Sequence, residues 1–257
     1  MKHPLRTLLL AVCCGLAAAC TQRQERLKLM SYNIRNGIGI DNIQDIGRIA
    51  RVILREVPDL VALQELDSAT LRVDGRYIPG ELGRMTGMHA TFGRAIGFAG
   101  GSYGIGLLSR TEPLAVRSIP LPGREEARVL LMAEFPDYTV CITHLSLTPE
   151  DRLASLPIIR EATDTCRKPV LLAGDFNTGN AAAVLAGLGG GFRILSDTTR
   201  MTFPSDNPAV RIDYILGRGL PTSATVAESA VDHTATASDH CPLWVTLVWK
   251  RGKQPRK

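Results

Sequence analysis

VLLAGDFN, residues 170–177, is the stretch on which the reading of this chain turns. An apolar run stops abruptly and delivers an aspartate and an asparagine two residues apart. Alone, that is a strand running into a turn, because Asp and Asn are common turn residues. The same design recurs along the chain, with polar residues at or beside the end of an apolar strand. Asn33 closes MSYN, Glu65 follows LVALQ, His144 sits in CITHL, and Asp239 with His240 forms SDH. Asp213 in RIDYI adds an acid within a strand-like segment. Any one of these has a plain structural explanation: a turn residue, or a histidine satisfied in the core. Together they make a set worth placing on a fold.

Working outward from 170–177, LKLMSYN (27–33) alternates as a strand does, and LVALQ (60–64) is a short apolar strand. Between them, residues 42–56 place Ile43, Ile46, Ile49, Ala50 and Ile53 near one helical face, and Pro58 marks the stop. A helical stretch near 78–87 precedes strand-like segments at 89–96, 104–109, 129–135 and 139–145. Pro149, Glu150 and Asp151 open a helix to about 165, which Pro157 should bend or divide. A short helix at 180–188 and strands at 211–216 and 243–249 complete the pattern. Helices alternate with strands, but strand pairs also follow one another directly, so a purely doubly wound sheet is disfavoured. Two packed sheets covered by helices fit better. The glycines of GFAGGSYGIG and GIGID lack the strand–turn–helix setting of a dinucleotide site and read as loops.

The two ends stand apart from this body. Lys2 and Arg6 precede a twelve-residue apolar stretch, 8–19, that ends at Cys20. It is shorter than the roughly 20 residues needed to span a bilayer and suits a cleaved secretory signal. Ala17–Ala18–Ala19 before Cys20 resembles a bacterial lipoprotein signal. The expectation is therefore a signal over 1–19 and a lipid-bearing Cys20 on a short tether, 20–26. The body would span 27–249, with a basic tail at 250–257. That places the protein outside the cytoplasm, on the outer membrane if the cell has one, with secreted or periplasmic release as the alternative. Without residues 1–19 and the five bases of the tail, 23 bases face 25 acids. The high isoelectric point belongs to the ends, and charge alone does not identify a nuclease. Cys141, Cys166 and Cys241 show no metal spacing and read as buried thiols, with one disulfide among them as the alternative.

The polar set at the strand ends holds much of what a metallohydrolase needs. Carboxylates are hard oxygen ligands for Mg²⁺ or Mn²⁺, and cysteine-rich or multi-histidine zinc spacing is absent. Amides can orient a water or a phosphate oxygen. Histidine exchanges protons near neutral pH, and a carboxylate can fix its tautomer. The ordered series LKLMSYNIRNG, LVALQELD, SYGIGLLSR, CITHLSL, LLAGDFNT, FPSDNPAVRIDYIL and ASDHCPL resembles the endonuclease/exonuclease/phosphatase (DNase I-like) family over residues 27–249.

That resemblance implies an α+β fold, a four-layer α/β sandwich of two mostly antiparallel mixed sheets face to face with helices outside. It implies divalent-metal-dependent hydrolysis of a phosphodiester or phosphomonoester by in-line water attack, with Mg²⁺ the expected ion and Mn²⁺ a substitute. By the same resemblance Asn33, Glu65 and Asp239 lie at the metal, with Glu65 its principal ligand. Asp175 activates or positions the attacking water, and Asn177 holds it or a phosphate oxygen. His240, oriented by Asp213, contacts the phosphate or exchanges a proton, and His144 is the second catalytic histidine. Tyr103 and Arg128 are candidates for phosphate support. Two departures stand out: Ser146 occupies the place of an acid found shortly after the histidine in some members, and SYGIG lacks the amide often found after YG. The loops carry no clustered aromatics and bases for duplex DNA. The partner expected is a phosphate-ester substrate on a monomeric enzyme. A DNA or RNA nuclease and a noncatalytic phosphate-binding module are the alternatives.

Overall fold

The computed structural model describes residues 24–250; the expected signal, Cys20 and the residues of the tail beyond Lys250 lie outside them. In chain order the elements are β1 (Gln24–Asn33), α1 (Ile46–Glu56), β2 (Leu60–Ser68), α2 (Ile78–Thr86), β3 (His89–Phe98) and β4 (Gly101–Ser109). There follow β5 (Ala115–Leu121), β6 (Arg128–Glu134), β7 (Thr139–His144), α3 (Pro149–Asp164), β8 (Val170–Asp175) and α4 (Ala181–Leu188). The last four are β9 (Arg193–Ile194), β10 (Asp213–Arg218), β11 (Thr225–Val231) and β12 (Leu243–Lys250). No described helix is long and apolar enough to cross a membrane.

The strands form two six-stranded sheets, β11-β12-β1-β2-β4-β3 and β5-β6-β7-β8-β10-β9. Each contains one parallel pair bridged by a helix, β1–α1–β2 and β7–α3–β8, and its other pairs are antiparallel. Strand alternation sorts the core. Leu27, Leu29, Leu60, Ala62, Ile105 and Leu107 meet Leu131, Ile142, Leu171, Ala173 and Ile215 between the sheets. The alternate residues face outward: Met30, Val61 and Leu63 pack under α1 and α2, and Cys141, Leu172 and Leu216 under α3 and α4. This is the four-layer α/β sandwich that the family resemblance implied, built on the two helix-covered sheets expected from the strand and helix pattern.

Local detail departs from the sequence pattern at two helices. α1 starts at Ile46 rather than Asn42, because the Asp45 side chain accepts the Arg48 N–H as an N-cap and leaves Ile43 exposed. α3 runs unbroken through Pro157. The carbonyl that the proline leaves without a donor belongs to Leu153, an exposed residue where water can take that place. At the chain ends, Gln24 pairs with Lys250, so the first sheet takes in residues 24–26 and Lys250. Cys141, Cys166 and Cys241 are free thiols.

Candidate active site

Topology brings the strand-end residues together. β1 and β2 are parallel, as are β7 and β8, and β10 runs antiparallel to β8 with Asp213 opposite Asp175. The end of β8 therefore meets the beginning of β10, and His144, the last residue of β7, pairs with Asp175. Glu65 needs a further device. Simple alternation would put it on the outer face with Leu63. In β2 the register slips between Leu63 and Leu66, so Gln64 and Glu65 oppose Ile105 alone, and Glu65 takes φ 57°. Such a bulge re-aims one side chain. Here it turns Glu65 to Asn33, whose Nδ2 donates to Glu65 Oε1 at 2.9 Å.

Asn33 also donates to Asp175 Oδ2 at 3.1 Å and lies 3.4 Å from His240 Nε2. As oriented, its amino group faces the acids, while its Oδ1 accepts the Arg35 N–H at 3.1 Å. Offering oxygen to an ion there requires turning the amide over. Asp175 Oδ2 is also 3.5 Å from His144 Nε2 and 3.7 Å from His240 Nε2. Its other oxygen accepts the Asn177 N–H at 2.8 Å, and Asn177 Nδ2 donates to the Leu145 carbonyl at 2.8 Å. Asn177 thus braces Asp175 against the turn after β7, with its own amino group already used.

His240 is fixed from three sides. Nδ1 is 2.9 Å from Asp213 Oδ2, Phe203 packs with its ring centroid 4.7 Å away, and Ser238 Oγ accepts the His240 N–H. Ser238 Oγ donates in turn to the Asn33 carbonyl at 2.7 Å, tying SDH to the end of β1. Asp239 lies on the rim, 3.5 Å from Arg35 Nε, and its charge acts on both Glu65 and His240.

The charges differ sharply within this small volume. Burial opposes charging of His240, but Asp213, then Asp175 and Asp239, win and push its pKa up to about 10. His144 goes the other way: burial, then the Arg128 and His240 charges, hold it well below the usual imidazole range. The site thus pushes His240 toward its charged form and His144 toward its neutral one. Burial raises the pKa of Asp175, aided by Asp213, and burial raises Glu65 against the Asn33 hydrogen bond. Carboxylates crowded in this way favour a bound cation.

Asp175, Asp213 and His240 form a cluster able to hold a divalent ion, with one ligand atom of each within 4.8 Å of the others. Glu65, Asn33 and Asp239 border it on the first sheet. Tyr103 and Arg128 are both buried at its edge. Burial, with the Glu65 charge, raises the Tyr103 pKa, and Arg72 covers its ring at 5.2 Å. Arg128 is gripped by Glu125 at 3.3 Å and Glu126 at 3.0 Å. Arg72, in a one-turn 3-10 helix (Leu71–Val73), and Glu125, in a polar loop, escaped the sequence reading because neither stands at a strand end; Phe203 opens the FPSDNPAVRIDYIL segment but is not singled out within it. Only the fold brings them here.

A pH dependence follows for the metal-free protein. His240 has its folded-state pKa raised above the ordinary 6.5, so its stabilising contribution is complete below about 6.5 and is lost as pH rises toward about 10. Melting temperature measured between pH 6 and 10 should fall, and Asp213→Asn should flatten the fall. Equal slopes in the two proteins would show that the His240–Asp213 pair is not its source.

A model of the Endonuclease/Exonuclease/phosphatase family matches residues 30–240. No curated protein matches the chain. Among solved structures, an endonuclease/exonuclease/phosphatase from Beutenbergia cavernae DSM 12333 is 23% identical, with TM-score 0.70 over 88% of this chain and 72% of its own. The mannosyl-6-phosphatase Bt3783 of Bacteroides thetaiotaomicron is 19% identical, with TM-score 0.68 over 86% and 99%. D. rerio TDP2 complexed with a single-strand DNA product is 22% identical, with TM-score 0.65 over 86% and 98%. At these identities the structures speak for the fold alone.

Proposed function

The chain belongs to the Endonuclease/Exonuclease/phosphatase family and is a divalent-metal-dependent phosphoesterase; we propose that Mg²⁺ is its ion, replaceable by Mn²⁺, and that water attacks phosphorus in line. The observation that carries this reading is the convergence of Glu65, Asp175, Asp213 and Asp239 around one paired histidine, an oxygen-rich donor set suited to a hard cation. When bound, the ion supplies positive charge to the phosphoryl oxygens. Asp175, braced by the Asn177 N–H, aligns the water and takes its proton. His240, kept protonated by Asp213, donates to a phosphoryl oxygen. As the P–O bond to the leaving group breaks, neutral His144, on the opposite side of Asp175, would hydrogen-bond the departing oxygen and pass it a proton, and Arg128 and Tyr103 support the phosphate.

Two placements of the ion are open to test. His240 Nδ1 and Asp213 Oδ2 already bond to each other, and an ion bound by both would have to break that pair. We therefore place it on the side of Glu65, Asn33 and Asp239. Glu65→Gln should raise the Mg²⁺ concentration for half-maximal activity at least about tenfold, the order found even for groups one shell behind a metal. It should weaken Mn²⁺ binding, followed by calorimetry, to match, whereas Asp213→Asn should lower kcat with little change in either. A larger shift in metal affinity for Asp213→Asn would move the ion to the His240 cluster.

The near-balance of bases and acids in the body favours an ester smaller than duplex nucleic acid. Relatives of the same fold include a sugar phosphatase and a protein seen with a DNA product. Purified protein should therefore be assayed with Mg²⁺, and after its removal, on a generic phosphodiester, sugar and inositol phosphates, sphingomyelin, RNA and DNA. Silence on all of them in Mg²⁺ would overturn the reading. Export and lipid attachment at Cys20 belong to the same proposal. Gln24 stands at the end of the sandwich opposite Asn33, which is compatible with an anchored enzyme whose site faces outward.

A further inference from the structure

Ser146 stands where an acid would follow the second histidine, and the structure brings an acid to it from elsewhere. Glu125, in the loop between β5 and β6, accepts the Ser146 hydroxyl on both oxygens, at 2.7 and 2.9 Å. It also accepts the Leu147 N–H at 2.8 Å and the Thr148 hydroxyl at 3.1 Å. On its other side it holds Arg128 at 3.3 Å. Burial opposes its charge, yet these donors bring its pKa down to about 2, so the carboxylate is ionised across the working range.

What it holds leads into the reaction. The turn fastened at Ser146, Leu147 and Thr148 begins with Leu145, whose N–H donates to the Asp175 carbonyl at 2.9 Å. The Leu145 carbonyl accepts from Asn177 Nδ2, and Asn177 donates its N–H to Asp175 Oδ1. A short series of hydrogen bonds therefore runs from Glu125 through the turn to the carboxylate that faces the water. A second branch runs through Arg128, whose charge reaches His144 and Glu65. The hydrogen bonds do not reach the imidazole itself: His144 Nδ1 is buried and has no partner among the described residues.

We infer that Glu125 is a positioning residue for phosphoester hydrolysis, fixing Asp175 through the 145–148 turn and Asn177 while it holds Arg128 toward the phosphate. The inference rests on the phosphoesterase reading. A carboxylate after the histidine would steer the ring from within its own strand end. Here the acid comes from the neighbouring loop and acts on the turn, which explains how Ser146 is tolerated at a position facing so much charge.

The test uses the whole folded protein and a generic phosphodiester with Mg²⁺. Glu125→Ala should lower kcat by about 10- to 100-fold, the scale of an ångström's misplacement of a reacting group. Glu125→Gln keeps an acceptor for Ser146 and Leu147 and should recover most of that loss. The backbone amide resonance of Asn177 should shift in the first variant and return in the second. Asn177→Gly accepts the local φ of 51° and keeps the N–H to Asp175, while removing the side-chain bond to the Leu145 carbonyl that couples Asp175 to the turn. Adding Glu125→Ala to it should cost less than the same change costs in the wild type, because the branch through the turn is already cut and coupled sites are non-additive. Wild-type turnover in folded Glu125→Ala, or full additivity with Asn177→Gly, would overturn the inference. If the wild-type chain hydrolyses nothing, the failure lies with the function proposed above.

Discussion

Asp175→Asn should lower kcat by about 10²-fold or more on every ester the enzyme hydrolyses, the order associated with a positioned acid–base group. The variant keeps the side chain's size and an oxygen for the Asn177 N–H. It removes the negative charge that draws a proton from water. The stability effect should run the other way. In the metal-free protein the charged form of Asp175 is disfavoured by burial and by Asp213. Losing that charge relieves the repulsion, so the melting temperature should hold or rise while turnover collapses. A residue important only for packing would show the reverse, with catalysis retained in whatever fraction stays folded. Steady-state kinetics beside thermal melts separates the two, and near-wild-type kcat in folded Asp175→Asn would remove GDFN from the mechanism. Because Asp175 acts on phosphorus rather than on the rest of the ester, a loss confined to one substrate would also count against this role.

The strand ends were readable because burial imposes a strict pattern where β1, β7 and β8 enter the core. An apolar run that stops at Asn33, His144 or Asp175 leaves little doubt about where the strand delivers its last side chain. The edges were read unevenly: β3 answers to the strand expected at 89–96, whereas β5 and β11 gave no sign of themselves. β5 and β11 are mostly exposed, with sequences such as AVRSIPL and TVAESAV, and they hold their places by backbone pairing with β6 and β12. Such strands need no apolar alternation, so composition gives no sign of them. Glu65 shows a subtler limit. Its position at the end of LVALQ was plain, but β2 continues to Ser68, and only the bulge directs the carboxylate inward. Asp213 was read inside a strand, yet it begins β10, and the antiparallel register is what brings it to Asp175. Glu125 could not be read at all, and Phe203, though it opens the quoted FPSDNPAVRIDYIL segment, could not be given a role, since the value of both comes from what the fold sets beside them.

Gly174→Ala should be among the most damaging single substitutions in the chain, although it adds one methyl group and touches no proposed catalytic side chain. Gly174 adopts φ +156° and pairs with Thr143 in the parallel β7–β8 ladder. A Cβ built there would sit 2.0 Å from the Thr143 carbonyl oxygen, 2.9 Å from its carbon and 3.2 Å from its nitrogen. All three atoms are backbone, so no rotamer change relieves the overlap. The strands must separate, or Asp175 must shift off its partner His144, the next pair in the ladder. Overpacking of this kind costs about 1–3 kcal/mol, and an unsuitable backbone angle adds to it. At about 2–4 °C per kcal/mol for a domain of this size, the melting temperature should fall by roughly 5–10 °C. Activity should fall beyond the loss of folded protein, because the displaced bond precedes Asp175 directly. Gly75→Ala is the informative contrast: its φ is +70°, but nothing lies within 4 Å of the added Cβ. It should report the backbone cost alone and leave kcat intact. If the two variants melt together and turn over alike, the close approach of β7 and β8 is not what requires glycine before Asp175.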